Sequence, residues 1–128
     1  MNVSFRAEVE ELDDGVRVVS VFGELDQATV ADLEQVFDEV INETSAALLV
    51  DLSDCAFIDS SGLGALVSAR DRVLSAGDRS FGVCCPDSQV RRLLEVTGLD
   101  TAMGIVATRD EAIDVLRTNG GAPTTADG

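Results

Sequence analysis

Residues 48–74, LLVDLSDCAFIDSSGLGALVSARDRVL, decide the fold. Ala46, Ala47, Leu48, Leu49, Val50 and Leu52 form a nearly unbroken apolar run, the pattern of a strand covered on both faces. Asp59-Ser60-Ser61-Gly62 then supplies N-cap residues, and Leu63, Leu66, Val67, Val73 and Leu74 recur at helical spacing. The pattern predicts a buried strand, a loop over residues 53–61 and a helix starting at Ser60 or Ser61. Such a junction leaves backbone N–H groups free near Ser60 and points the positive end of the helix dipole at it. That is a place suited to a phosphate.

Working outward, Val3, Phe5, Ala7 and Val9 alternate with Ser4, Arg6, Glu8 and Glu10, as in a half-exposed strand. Asp13-Asp14-Gly15 is a turn signal, and the β-branched run over residues 16–22 completes an N-terminal antiparallel hairpin. Gly23-Glu24-Leu25-Asp26 reads as a loop. A helix to about Asn42 follows, with Val30, Leu33, Val36, Phe37, Val40 and Ile41 on one face and acidic residues largely off it.

Downstream, residues 79–85 read as a strand, and Pro86 suits the first turn of a third helix that stops at Gly98. Residues 101–106 read as a short fifth strand, and Thr108 and Glu111 have capping-box spacing for a last helix ending near Asn119. The order β-β-α-β-α-β-α-β-α predicts an α/β fold: a mixed, mostly parallel sheet of about five strands with about four helices. Residues 1–119 form one domain and the small, polar residues 120–128 a disordered tail. In such sheets, loops at the carboxyl ends of strands carry function. The loops around Asp26 and over residues 53–61 both follow strands and can meet on one rim.

Composition excludes several function classes. A net charge of −15 opposes a nucleic-acid backbone and an anionic membrane surface. No run approaches membrane-spanning length and the N-terminus lacks a signal-peptide layout, so a cytoplasmic location is expected. The absence of histidine removes Ser-His-Asp catalysis and most zinc sites. No P-loop pattern occurs, and Asp59 alone is a feeble base for Ser60, so the chain is expected not to be an enzyme and to need no cofactor or metal. The three cysteines, Cys55, Cys84 and Cys85, read as reduced, buried thiols, with a redox role for Cys55 the lesser alternative.

Gly62 and Gly64 lie in the first helical turns, where each glycine costs about 1 kcal/mol relative to alanine. A smooth surface there is favoured either for close packing of the helix itself or for close approach by another backbone. Phe57-Ile58-Asp59-Ser60-Ser61-Gly62-Leu63-Gly64 resembles the signature of the STAS domain, shared by sulfate transporters and bacterial anti-sigma factor antagonists. Gly23-Glu24-Leu25-Asp26 resembles the family's second marker, and residues 90–99, VRRLLEVTGL, its third-helix ending. With no membrane region, the chain is similar to the stand-alone antagonists.

That resemblance implies a STAS fold and a partner-switching protein. Ser60 would be the phosphoacceptor of a partner that is both anti-sigma factor and serine kinase, holding ATP and magnesium itself. Asp26, Asp59, Ser61, Gly62, Leu63 and Gly64 would complete the docking face. The unphosphorylated protein would make the partner release its sigma factor. Phosphorylation would end binding by repulsion while the helix N-terminus holds the phosphate, and a phosphatase would reset the switch. A scaffold subunit of a larger, stressosome-like assembly is the alternative.

Overall fold

The computed structural model describes residues 5–12, 15–43 and 47–121. Its elements are β1 (Arg6–Glu11), β2 (Val16–Leu25), α1 (Val30–Asn42), β3 (Ala47–Ile58), α2 (Ser60–Leu74), β4 (Ser80–Cys84), α3 (Gln89–Val96), α4 (Leu99–Met103) and α5 (Arg109–Gly121). The sheet order is β1-β2-β3-β4, with β1 antiparallel to β2 and the other pairs parallel.

Strand alternation divides the core between the sheet's two faces. Val19, Val21, Leu48 and Val50 pack against Leu33 and Phe37 of α1, Leu66 of α2, and Val90 and Leu94 of α3. Val16, Val18, Ala47 and Leu49 point the other way, toward Ala112 and Leu116 of α5. Cys84 and Cys85 likewise divide between the two cores.

The expected mixed α/β sheet with an N-terminal hairpin is present, with four strands rather than five and five helices rather than four. Residues 101–106 are not a strand. Leu99–Met103 forms a helical turn between Gly98 and Gly104, both left-handed, and only Val106 bridges Cys84. Gly23-Glu24-Leu25 is not a loop but the end of β2. Nor is the segment after Leu52 a loop: β3 runs to Ile58. Both strands are prolonged by mutual pairing across register shifts, one of them at Gly23, whose φ of +90° suits a bulge. Pro86 precedes α3 instead of entering it; Ser88 is the N-cap, its Oγ accepting from Arg91 N.

The Thr108–Glu111 capping box forms, each side chain accepting from the other's backbone N–H at 3.2 Å. The last helix continues to Gly121, two residues past the expected domain end. The expectations for Val3, Ser4, the Asp13-Asp14 turn and residues 122–128 lie outside the described residues. Among the described residues no helix is long and apolar enough to cross a membrane.

Candidate functional site

Leu25 and Ile58 are the last paired residues of β2 and β3, and Asp59 N donates to Leu25 O at 3.2 Å. Two strands that end together deliver Asp26 and Asp59 side by side. The Asp26 carboxylate folds its own turn: Oδ1 accepts from Ala28 N at 2.9 Å and Thr29 N at 3.1 Å. Thr29 Oγ1 accepts from Asp26 N and donates to Glu24 O at 2.8 Å, locking the entry to α1. This is an Asx-type turn set by the Asp26-Gln27-Ala28-Thr29 spacing.

Asp59 is the N-cap of α2: Oδ1 accepts from Ser61 N at 2.9 Å and Gly62 N at 3.2 Å. Its Oδ2 accepts from Gln27 N at 3.2 Å, so the same carboxylate joins the two segments. Asp26, Gln27, Ala28, Phe57 and Asp59 line an open depression beside the start of α2.

Ser60 is exposed and its hydroxyl has no partner among the described residues. The free N–H groups expected around it are largely taken: Ser61 N and Gly62 N by the Asp59 carboxylate, and Leu63 N by Asp59 O at 3.0 Å. A phosphate on Ser60 therefore meets a carboxylate already seated on the helix N-terminus, which alters the expectation that the helix end cradles it. The Asp59 oxygens serve as hydrogen-bond acceptors for backbone, and neither bonds the Ser60 hydroxyl.

The two glycines of the signature face opposite ways. A Cβ on Gly62 would lie 2.7 Å from Ile58 Cγ1 and 2.8 Å from Leu25 Cγ, so Gly62 lets α2 sit on the ends of β2 and β3. It is buried under the helix and does not line the surface. Gly64 is exposed, with nothing among the described residues within 4 Å of the equivalent position. Ser61 and Leu63 are half-buried, and Leu63 packs against the core.

Residues 7–112 match the family model described as STAS domain. The chain belongs to the STAS-domain family. The anti-sigma-F factor antagonist RsfB of Mycobacterium tuberculosis is 34% identical over 104 residues, covering 81% of this chain and 84% of that protein. The crystal structure of an anti-sigma factor antagonist from Mycobacterium paratuberculosis is similar with a TM-score of 0.83 and 36% identity, covering 89% of this chain and 95% of that one. The phosphorylated form of the Bacillus cell fate determinant SpoIIAA is similar with a TM-score of 0.65 and 26% identity, covering 88% of this chain and all 100% of that one. These relatives carry regulatory rather than catalytic names.

The STAS rim contains residues that the sequence reading passed over. Thr29 orders the Asp26 turn, with the Asp-x-x-Thr spacing as its signal, whereas Gln27 ties that turn to Asp59 through its backbone N–H, which no side-chain pattern marks. Phe57 is 45% exposed at the edge of the depression, a large apolar ring beside Asp59. On the opposite sheet face, Asp51 is only 7% exposed and pairs with Arg109 at 3.0 Å. Arg109 also reaches Glu10 Oε1 at 3.0 Å and Ser20 Oγ at 3.1 Å, fastening the start of α5 across three strands. Burial works to raise the Asp51 pKa, but hydrogen bonds from Ser53, Arg109 and Cys84 outweigh it and hold the carboxyl below its ordinary value.

Cys55 lies beneath the rim, its thiol donating to Phe57 O at 3.3 Å. Burial pushes its pKa up to about 11. Burial together with the neighbouring Asp51 pushes Cys84 up to about 12.

Proposed function

We propose that this STAS domain is a cytoplasmic anti-sigma factor antagonist, which binds an anti-sigma factor that is also a serine kinase and is inactivated by phosphorylation of Ser60. The observation that carries this reading is the exposed, unpartnered Ser60 hydroxyl at a rigid strand-to-helix junction. The names of its relatives support it, as does a relative whose solved structure is described as phosphorylated.

The chain's own part in the transfer is positioning. Asp59 fixes the first turn of α2 and thereby the Ser60 backbone, while Gln27 ties the neighbouring turn to the same carboxylate. Ser60 contributes the attacking oxygen; the partner contributes ATP, magnesium and the base. The product adds about −1.5 to −2 of charge beside Asp59, whose negative charge is held in place by three backbone N–H groups. Repulsion and bulk at the rim end binding without refolding, and a phosphatase restores the hydroxyl.

Isothermal titration against purified anti-sigma factor kinases of the source organism tests this reading. Wild type and Ser60→Ala are expected to bind one of them alike, and Ser60→Asp to bind at least about tenfold more weakly, about 1.4 kcal/mol. Equal affinity and equal sigma-factor release for Ser60→Asp would contradict it.

A further inference from the structure

The acidic chain carries nine basic side chains, all arginine, and Arg92 on α3 is the only one without a partner among the described residues. It is exposed, in a chain with a net charge of −15. Gln89, Arg92, Leu93 and Val96 are spaced three and four apart and share one side of α3. Val96 is 78% exposed, the most exposed of the large apolar side chains among the described residues.

This side of α3 adjoins the Ser60 rim. Gln89, Val90 and Leu93 line a small hollow together with Ala56, Phe57 and Ile58. Phe57 also lines the depression that holds Asp26 and Asp59. One exposed ring thus separates an acidic hollow from an apolar one, and the two form a continuous surface.

We infer that the anti-sigma factor docks across both hollows, placing an apolar side chain among Phe57, Leu93 and Val96 and a carboxylate against Arg92. The inference rests on the function proposed above and adds the determinant of partner choice. The acidic rim around Ser60 calls for a basic partner surface, which by itself discriminates little among basic proteins. An unpaired cation beside an apolar socket demands a local feature of opposite sign, and it rejects a partner that presents a basic group there. Exposed apolar residues near the centre of a contact are where binding energy concentrates.

The test uses the full chain and the purified anti-sigma factor that binds it in the titration described above. Arg92→Glu and Val96→Asp are expected to weaken binding by about tenfold or more, with Arg6→Glu, an equal charge change on the far edge strand, staying within about twofold. The circular dichroism of all three is expected to match wild type, because these side chains are exposed. If Arg92→Glu and Val96→Asp bind like wild type while Ser60→Asp does not, the α3 face is not part of the contact and the switch still stands. If wild type binds none of the anti-sigma factors, the proposed function and this inference fall together. A homodimer in sedimentation velocity that Val96→Asp dissolves would assign the face to a second copy and overturn the inference.

Discussion

The backbone N–H of Gln27 donates to Oδ2 of Asp59 across 3.2 Å, so a single carboxylate ties the turn after β2 to the first turn of α2. The two segments that form the rim are 32 residues apart in the chain, and their relative position depends on this bond and on the paired strand ends beneath it.

Asp59→Ala removes the α2 cap and the link to Gln27 together. It is expected to lower unfolding stability by about 1–2 kcal/mol, read from urea denaturation. Asp59→Asn keeps an acceptor for the cap and is expected to recover most of that loss. Equal stability for wild type and Asp59→Ala would show that the cap contributes nothing.

Gly62→Ala and Gly64→Ala are expected to have opposite signs. At Gly62 the new methyl meets Ile58 and Leu25 at under 3 Å, an overpacking cost of about 1–3 kcal/mol. At Gly64 the methyl points into open space, and better helix propensity is expected to add up to about 1 kcal/mol. Thermal unfolding of the two variants reads the difference directly.

Much of this architecture is legible in the sequence, for identifiable reasons. Leu33, Phe37, Val40 and Ile41 repeat at helical spacing and do form the buried face of α1. The unbroken apolar run over residues 47–50 is fully buried. What escaped depends on partners distant in sequence. Ser53, Asp54 and Ala56 are exposed and read locally as loop, yet pairing with β2 keeps them in a strand. Thr101, Ile105 and Val106 have strand propensity, but glycines at 98 and 104 bracket a helical turn, and the flanking glycines were the better signal. Asp59 and Ser60 stand out in the sequence, whereas the direction each glycine faces follows only from where α2 rests on the sheet. Asp51, a carboxylate inside the apolar run over residues 47–52, is itself a sign that a cation lies nearby, and only the fold identifies it as Arg109.

The Arg109 clamp carries a pH signature. The Asp51 carboxyl has a folded pKa below its ordinary value of 3.8, so in acid the unfolded chain binds more protons than the folded one. The stabilisation is complete above 3.8 and disappears as pH falls through the lower folded value. Arg109→Ala is expected to cost about 1–3 kcal/mol at neutral pH, and that difference should shrink as the pH falls below 3.8. An unchanged difference across that range would assign the loss to packing of α5 instead of the ion pair.

The thiols are expected to be inert in the folded protein. Burial and the raised pKa values, about 11 for Cys55 and about 12 for Cys84, leave little thiolate to react. Iodoacetamide at neutral pH should add almost nothing to the native chain and three groups to the denatured one, counted by mass. Rapid native labelling of Cys55 would reopen a redox role beneath the rim.

The most direct test of the switch is intact mass of wild type and Ser60→Ala after incubation with the purified anti-sigma factor kinase, magnesium and ATP. The expected result is one added phosphoryl group on wild type, none on Ser60→Ala, and loss of kinase binding by the modified protein. Phosphorylation of Ser60→Ala to the same extent, or no transfer to wild type by a kinase that binds it tightly, would contradict Ser60 as the switch.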